Sequence, residues 1–198
     1  NILCEVNYWR RFVPHFNTKK IKKMVGSLQA VKINYCGGLK NNGVHLIDFV
    51  RLIYGEITPL NFFKNSAITK AETLRNDYNI NFFCNVKKKI PLYGVYLDKK
   101  YFRENSIEFL GSNGKLFLHN DSRELFFYKL MAHKGLSNNY ELDNSNPRRL
   151  RFDHDLALSN LYKCFYSVLS QKKQVISSIS NALKNEKLIS NFFKSLKL

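Results

Sequence analysis

Tyr78-Asn79-Ile80-Asn81-Phe82-Phe83-Cys84-Asn85-Val86-Lys87 alternates apolar and polar side chains, with Phe83 the one departure. A period of two sets Tyr78, Ile80, Phe82, Cys84 and Val86 on one face of an extended chain, as in a half-buried antiparallel strand. Further strands are expected downstream. Leu92–Leu97 is one. Ile107–Leu110 and Lys115–Leu118 flank Gly111-Ser112-Asn113-Gly114, which reads as a four-residue hairpin connection, and Glu124–Leu130 adds another. Lys134–Arg151, with Asn138-Asn139 and Asn144-Ser145-Asn146-Pro147, reads as a long loop.

Upstream of this run the period is helical. Lys19–Val25 carries Ile21, Met24 and Val25 at helical spacing, with Asn17 or Thr18 to cap it and Gly26 to end it. Leu28–Tyr35 is predicted as a strand and Val44–Tyr54 as a helix, stopped by Gly55, capped by Asn41 or Asn42 and apolar enough to be buried on most sides. The opening Ile2-Leu3-Cys4-Glu5-Val6 suits a short buried strand. Two helices close the chain. The first, Asp155–Ser170, places Leu158, Leu161, Phe165 and Val168 on one face; the second, capped by Ser177 or Ser178, carries Ile179, Ala182, Ile189, Phe192 and Phe193. Successive strands framed by helices predict an α+β fold: an open, mainly antiparallel β-sheet with helices packed on one face. Strand faces carrying Phe82, Phe117, Phe126 and several tyrosines on both sides would leave an apolar surface unless a second subunit covers it, so a homo-oligomer joined through the sheet is expected.

The chain has 198 residues, enough for one core without disulfides or metal. Cys4, Cys36, Cys84 and Cys164 lie far apart, with no metal-ligand spacing, which predicts free thiols, no metal site and a cytoplasmic setting. The longest apolar stretch, Val44–Tyr54, is interrupted by His45, Asp48 and Arg51 and falls short of the roughly 20 residues that cross a bilayer. The chain opens on Asn-Ile-Leu-Cys, without a basic leader, and so reads as a fragment rather than a secreted precursor. A formal charge of +17 attracts anions such as nucleic acid, phosphate esters or acidic membranes. The lysines are dispersed, as in Lys19-Lys20 and Lys87-Lys88-Lys89, which favours an ordinary solvated surface over a nucleic-acid-binding domain.

Two stretches carry candidate chemistry. In Tyr35-Cys36-Gly37-Gly38-Leu39-Lys40-Asn41-Asn42-Gly43-Val44-His45-Leu46-Ile47-Asp48, glycines permit sharp turns and close approach to a ligand, and Asn41 and His45 stand four apart at a helix start. Their side chains are expected in one cleft. An imidazole titrating near about 6.5 can take the proton that an alcohol loses on oxidation, and Asp48 is placed to fix its tautomer. A satisfied structural histidine is the competing reading. The second stretch, Asn7-Tyr8-Trp9-Arg10-Arg11-Phe12-Val13-Pro14, offers two arginines among aromatic residues, suited to phosphate, carboxylate or sugar hydroxyls or to plain surface packing.

These stretches, in this order, resemble the Gfo/Idh/MocA family of pyridine-nucleotide oxidoreductases. Asn7–Pro14 is similar to the family's domain junction and Gly37–Asp48 to its active-site loop and helix. Phe109-Leu110-Gly111 through Leu116-Phe117-Leu118 is similar to its G-x-x-G hairpin, and Ala157–Tyr162 and Asn181-Ala182-Leu183 to its last helices. The resemblance implies that residues 1–14 end a Rossmann domain absent from this sequence and that 15–198 form the C-terminal α+β domain. It further implies an NAD(P)-dependent oxidoreductase acting on a sugar, sugar-nucleotide or related polyol, with NAD or NADP held elsewhere and none bound by this chain. His45 and Asn41 would be catalytic, and Tyr8, Arg10, Arg11 and Asn42 would contact substrate. Asn41 stands where the family carries an aspartate, so His45 alone remains to accept a proton. The same fold could also serve as a non-catalytic dimerising module.

Overall fold

A computed structural model of the chain describes residues 4–63, 67–171 and 175–198. Helix α1 is Thr18–Val25, α2 Val44–Tyr54, α3 Ala157–Gln171 and α4 Ile179–Ser195. The strands are β1 Leu28–Tyr35, β2 Asn61–Phe62, β3 Thr69–Lys70, β4 Tyr78–Asn79, β5 Phe82–Val86, β6 Ile90–Tyr96, β7 Ser106–Gly111, β8 Gly114–His119, β9 Glu124–Ala132, β10 Tyr140–Leu142 and β11 Arg148–Leu150. Among the described residues one sheet runs β10-β9-β8-β7-β1-β6-β5-β2, with β11 on β9, while β3 and β4 form a separate ribbon. Among the described residues only β1 and β6 pair in parallel and every other ladder is antiparallel, so the fold is α+β with helices on one face of a mainly antiparallel sheet.

β1 is the central strand. Val31, Ile33 and Tyr35 face the helices fully buried, while Lys32 between them is exposed. Across the gap α2 presents Leu46, Ile47, Val50 and Ile53, all fully buried. α2 is covered on its far side too, where Phe49 packs against Phe16 and Phe152 at ring separations of 5.0 and 6.2 Å. Asn17 caps α1 through its side chain, accepting from Lys20 N–H at 3.0 Å, and Ser178 caps α4.

Several expected elements differ. The run Tyr78–Val86 is not one strand: the Tyr35 hydroxyl donates to Ile80 C=O at 2.7 Å and accepts from Ile80 N–H at 2.9 Å, replacing a strand partner. Asn81 then accepts from Tyr96 N–H at 2.8 Å, so the ladder restarts only at Phe82. The hairpin turn is Ser112-Asn113 alone, because Gly111 and Gly114 already pair. The expected loop 134–151 contains β10 and β11, two three-residue strands laid end to end along β9. Of the opening strand, residues 1–3 lie outside the described residues, and Glu5 makes a single bridge to Ser178. Asn41 and Asn42 do not cap α2; both lie in a π-helical turn, Leu39–Gly43, that runs into it. On α3 Leu161 and Val168 are buried, but Leu158 is 48% exposed.

β5 and β6 meet at Phe82 and Gly94, a cross-strand pair in which the phenyl ring lies over the glycine. A Cβ on Gly94 would come within 2.0 Å of the ring. Gly94→Ala should therefore displace Phe82 from the core and cost about 1–3 kcal/mol of unfolding free energy. Urea denaturation checks this, and the double change Gly94→Ala/Phe82→Leu should recover part of the loss.

Candidate functional site

The candidate residues converge where the segment before α1, the start of α2 and the middle of α4 meet. Asp48 lies on the second turn of α2 with its carboxylate almost fully buried. It does not hold His45, as the i, i+3 spacing suggested. Instead Arg11 donates to both of its oxygens, Nε to Oδ2 at 2.7 Å and Nη2 to Oδ1 at 2.8 Å, and Asn185 of α4 donates Nδ2 to Oδ1 at 2.9 Å. Arg11, expected as a substrate contact, thus spends its fork on a buried ion pair. Asn185 also accepts from Arg51 and hydrogen-bonds the Tyr8 side chain. It is a residue that sequence reasoning missed. A signal existed: Ala182, Asn185, Ile189 and Phe192 repeat at helical spacing, and a polar residue on such a stripe implies a polar partner inside.

His45 stands edge-on to Tyr8, ring centroids 5.3 Å apart. The imidazole is half-buried, and its Nδ1 is buried without a hydrogen-bond partner among the described residues. Burial, and then the nearby Arg10 charge, push its pKa down to about 4, against a smaller upward pull from Asp48. The resting ring is therefore neutral throughout the neutral range, not poised near 6.5. Arg10 lies 4.2 Å over the Trp9 ring and donates Nη2 to Ser122 Oγ at 2.8 Å; its Nε has no partner among the described residues, and burial lowers its pKa to about 9. The Ser122 hydroxyl in turn donates a hydrogen bond to Asn105 C=O at 2.6 Å. Arg10 is thus held against the turn after β8, inside the protein. Burial also raises the Tyr8 pKa, keeping its phenol protonated.

Asn41 does not join His45. Its amide turns back to donate to Gly37 C=O at 3.2 Å, and that of Asn42 donates to Cys36 C=O at 2.7 Å. The loop is clamped from β4. Asp77, fully buried, accepts from the backbone N–H groups of Lys40, Asn41 and Tyr78 at 2.8, 3.0 and 2.8 Å, and Asn79 accepts from Gly38 N–H at 2.9 Å. A Cβ on Gly38, where φ is 96°, would sit 2.0 Å from Asp77 Oδ2, so only glycine lets this carboxylate approach. Structure brings together Tyr8, Arg10 and His45, sets Arg11 beneath them, and leaves Asn41 and Asn42 as loop-stabilising amides. A separate cavity of about 540 Å³ lies behind the loop, lined by Gly37, Thr69, Asn79, Tyr96 and Lys99 but not by His45.

Among the described residues no three His, Cys, Asp or Glu side chains cluster as metal ligands, and no helix is long and apolar enough to cross a membrane.

No protein-family profile matches the chain, and no curated protein sequence matches it. Solved structures do. A super-repressor mutant of Gal80p from Saccharomyces cerevisiae superposes with a TM-score of 0.68 at 14% identity, covering 98% of this chain and 63% of that one. A variant of KijD10, a 3-ketoreductase from Actinomadura kijaniata solved with TDP-benzene and NADP, gives 0.65 at 16% identity over 96% and 60%. An oxidoreductase from Agrobacterium radiobacter, solved with NAD+, L-tartaric acid and magnesium, gives 0.63 at 13% over 96% and 60%. The chain shares the fold of a domain found in these proteins and spans about three fifths of their length.

The His45 environment predicts a pH dependence of stability. Its folded pKa lies below the value of about 6.5 expected unfolded, so the unfolded chain binds the extra proton and stability falls as pH drops from about 6.5 toward 4. Between pH 7 and 5 His45 should account for a loss of about 2 kcal/mol. Urea unfolding of wild type and His45→Gln at both pH values checks this, the variant showing a correspondingly smaller difference.

Proposed function

We propose that this chain is the substrate-side and oligomerisation half of an NAD(P)-dependent oxidoreductase of the Gfo/Idh/MocA type, acting on a sugar, sugar-nucleotide or related polyol hydroxyl. The observation that carries this reading is that 96% of the chain superposes on the NADP-bound ketoreductase KijD10 while leaving two fifths of that protein unmatched. On this reading residues 1–14 are the junction with a nucleotide-binding half and 15–198 the C-terminal domain, working in the cytoplasm.

The residues described do not fit a nucleotide on their own. A dinucleotide's pyrophosphate is received by free amides at a glycine-rich strand-to-helix turn. The sequence has no G-x-G-x-x-G, and in the one glycine-rich turn between β1 and α2 the amides of Lys40 and Asn41 are already taken by Asp77. NAD or NADP would therefore be held by the other half, where it supplies the hydride chemistry. This chain contributes Tyr8, Arg10 and His45. The neutral imidazole accepts or donates one hydrogen bond to the reacting oxygen, Tyr8 fixes the ring from its edge, and Arg10 supplies positive charge as the oxygen becomes anionic. Asn41 and Asn42 act at one remove, by holding the loop that leads into α2.

In the protein carrying its nucleotide-binding half, His45→Ala should lower kcat by on the order of 10²-fold or more, with little change in the melting temperature measured at pH 7. Because the imidazole is depressed to about 4, kcat/KM should show no His45-dependent inflection near pH 6.5. Near-native turnover in His45→Ala would remove the imidazole from the mechanism; an inflection near 6.5 that vanishes with it would show the proton transfer running through a charged ring.

The sheet carries the oligomerisation part of the proposal. Opposite the helices, cross-strand register lines up Phe83, Tyr93, Lys32, Glu108, Phe117 and Phe126 in one transverse row. Tyr93, next to Phe83 at one end of the row, is 44% exposed. A second copy laid on this row would remove that surface from water. Sedimentation equilibrium should show a dimer that Tyr93→Lys/Phe117→Lys shifts toward monomer; wild-type monomer at tens of micromolar would count against the shared sheet.

A further inference from the structure

A second cavity, of about 290 Å³, lies between α1 and β11, lined by residues distinct from Tyr8, Arg10 and His45. Its floor is apolar: Ile21 and Met24 from α1 face Leu125 and Leu150 from the paired strands β9 and β11. Its lining holds Lys20, Arg148, Arg149 and Arg151, and no acidic side chain. Two of these cations are neutralised from outside, Arg149 by Glu124 at 3.0 Å and Arg151 by Asp153 at 2.7 Å. Lys20 and Arg148, one from each wall, have no carboxylate within ion-pair distance among the described residues.

A recess that joins uncompensated positive charge to an apolar floor selects an anion with an apolar body. An Arg fork and a Lys point charge together suit the tetrahedral oxygens of a phosphate. The volume admits one small molecule and not a duplex or a bilayer. We propose that the α1–β11 cavity binds a small organic phosphate, its phosphate between Lys20 and Arg148 and its apolar part on Met24, Ile21 and Leu125. This site stands independently of the His45 cleft and of the oxidoreductase reading.

Phenyl phosphate is the probe. Titration calorimetry at low ionic strength should show saturable one-to-one binding, tighter than that of inorganic phosphate because the ring covers the floor. Lys20→Ala/Arg148→Ala should weaken it at least about tenfold. The control Lys163→Ala/Lys187→Ala removes the same charge from exposed positions on α3 and α4 and should leave binding unchanged; thermal melts report that both variants fold. Three results overturn the proposal: no saturation by about 10 mM, equal weakening in both double variants, or no preference for phenyl phosphate over inorganic phosphate. Displacement of the probe by submicromolar oligouridylate, lost only in Lys20→Ala/Arg148→Ala, would also overturn it, since the surface would then be a nucleic-acid contact.

Discussion

A carboxylate cannot be kept ionised inside an apolar helix unless its charge is met on the spot, and Asp48 is such a carboxylate. Two elements converge on α2 to meet it. Arg11 comes from the segment before α1 and Asn185 from α4, so the chain's opening and closing parts are both tied to the central helix by one side chain. Removing one partner from a buried pair of this kind typically costs about 3–5 kcal/mol, more than most single packing contacts. The positions of Tyr8 and Arg10 follow from it, since neither can move far while Arg11, next to Arg10 and three residues beyond Tyr8, is held at both oxygens of Asp48.

The same requirement decides the electrostatics of the cleft. With Asp48 paired to Arg11, its upward pull on His45 is the smallest of the three influences, while Arg10 stands close enough to oppose a second positive charge. Arg10 is itself shifted down by burial, and its hydrogen-bonding partner is a neutral hydroxyl, Ser122. The cleft therefore offers positive charge and a neutral imidazole together. That pairing favours an oxygen that gains negative charge over one that must give up a proton to a strong base. It is the opposite of the poised base that the isolated His45–Asp48 spacing suggested.

Much of the fold was legible because its signals are local. Leu28–Tyr35 and Val44–Tyr54 were predicted with the bounds observed, since a period-two run and a helix ended by Gly55 carry their own limits. The break inside Tyr78–Val86 was not legible, because it depends on the Tyr35 hydroxyl reaching Ile80 from far along the chain. β10 and β11 were hidden for a related reason: each is three residues long with little apolar pattern, and each exists because β9 is long enough to pair with both. Spacing singled out His45, Tyr8 and the arginine pair, which the fold sets near one another, but it could not say which charges would meet.

The clamp at Asp77 shows why that last step lies beyond pattern. Asp77 comes from the turn before β4, and nothing about its neighbours marks it as a loop anchor. It becomes one because Gly38 leaves room for its oxygen and because Lys40 and Asn41 present two backbone N–H groups that the π-helical turn leaves unpaired. In another fold that bare turn could receive a phosphate; here it is filled by the protein's own carboxylate. The loop is thereby tied down by the protein's own side chain, so the turn that leads into α2 and His45 is anchored by a residue more than thirty positions downstream.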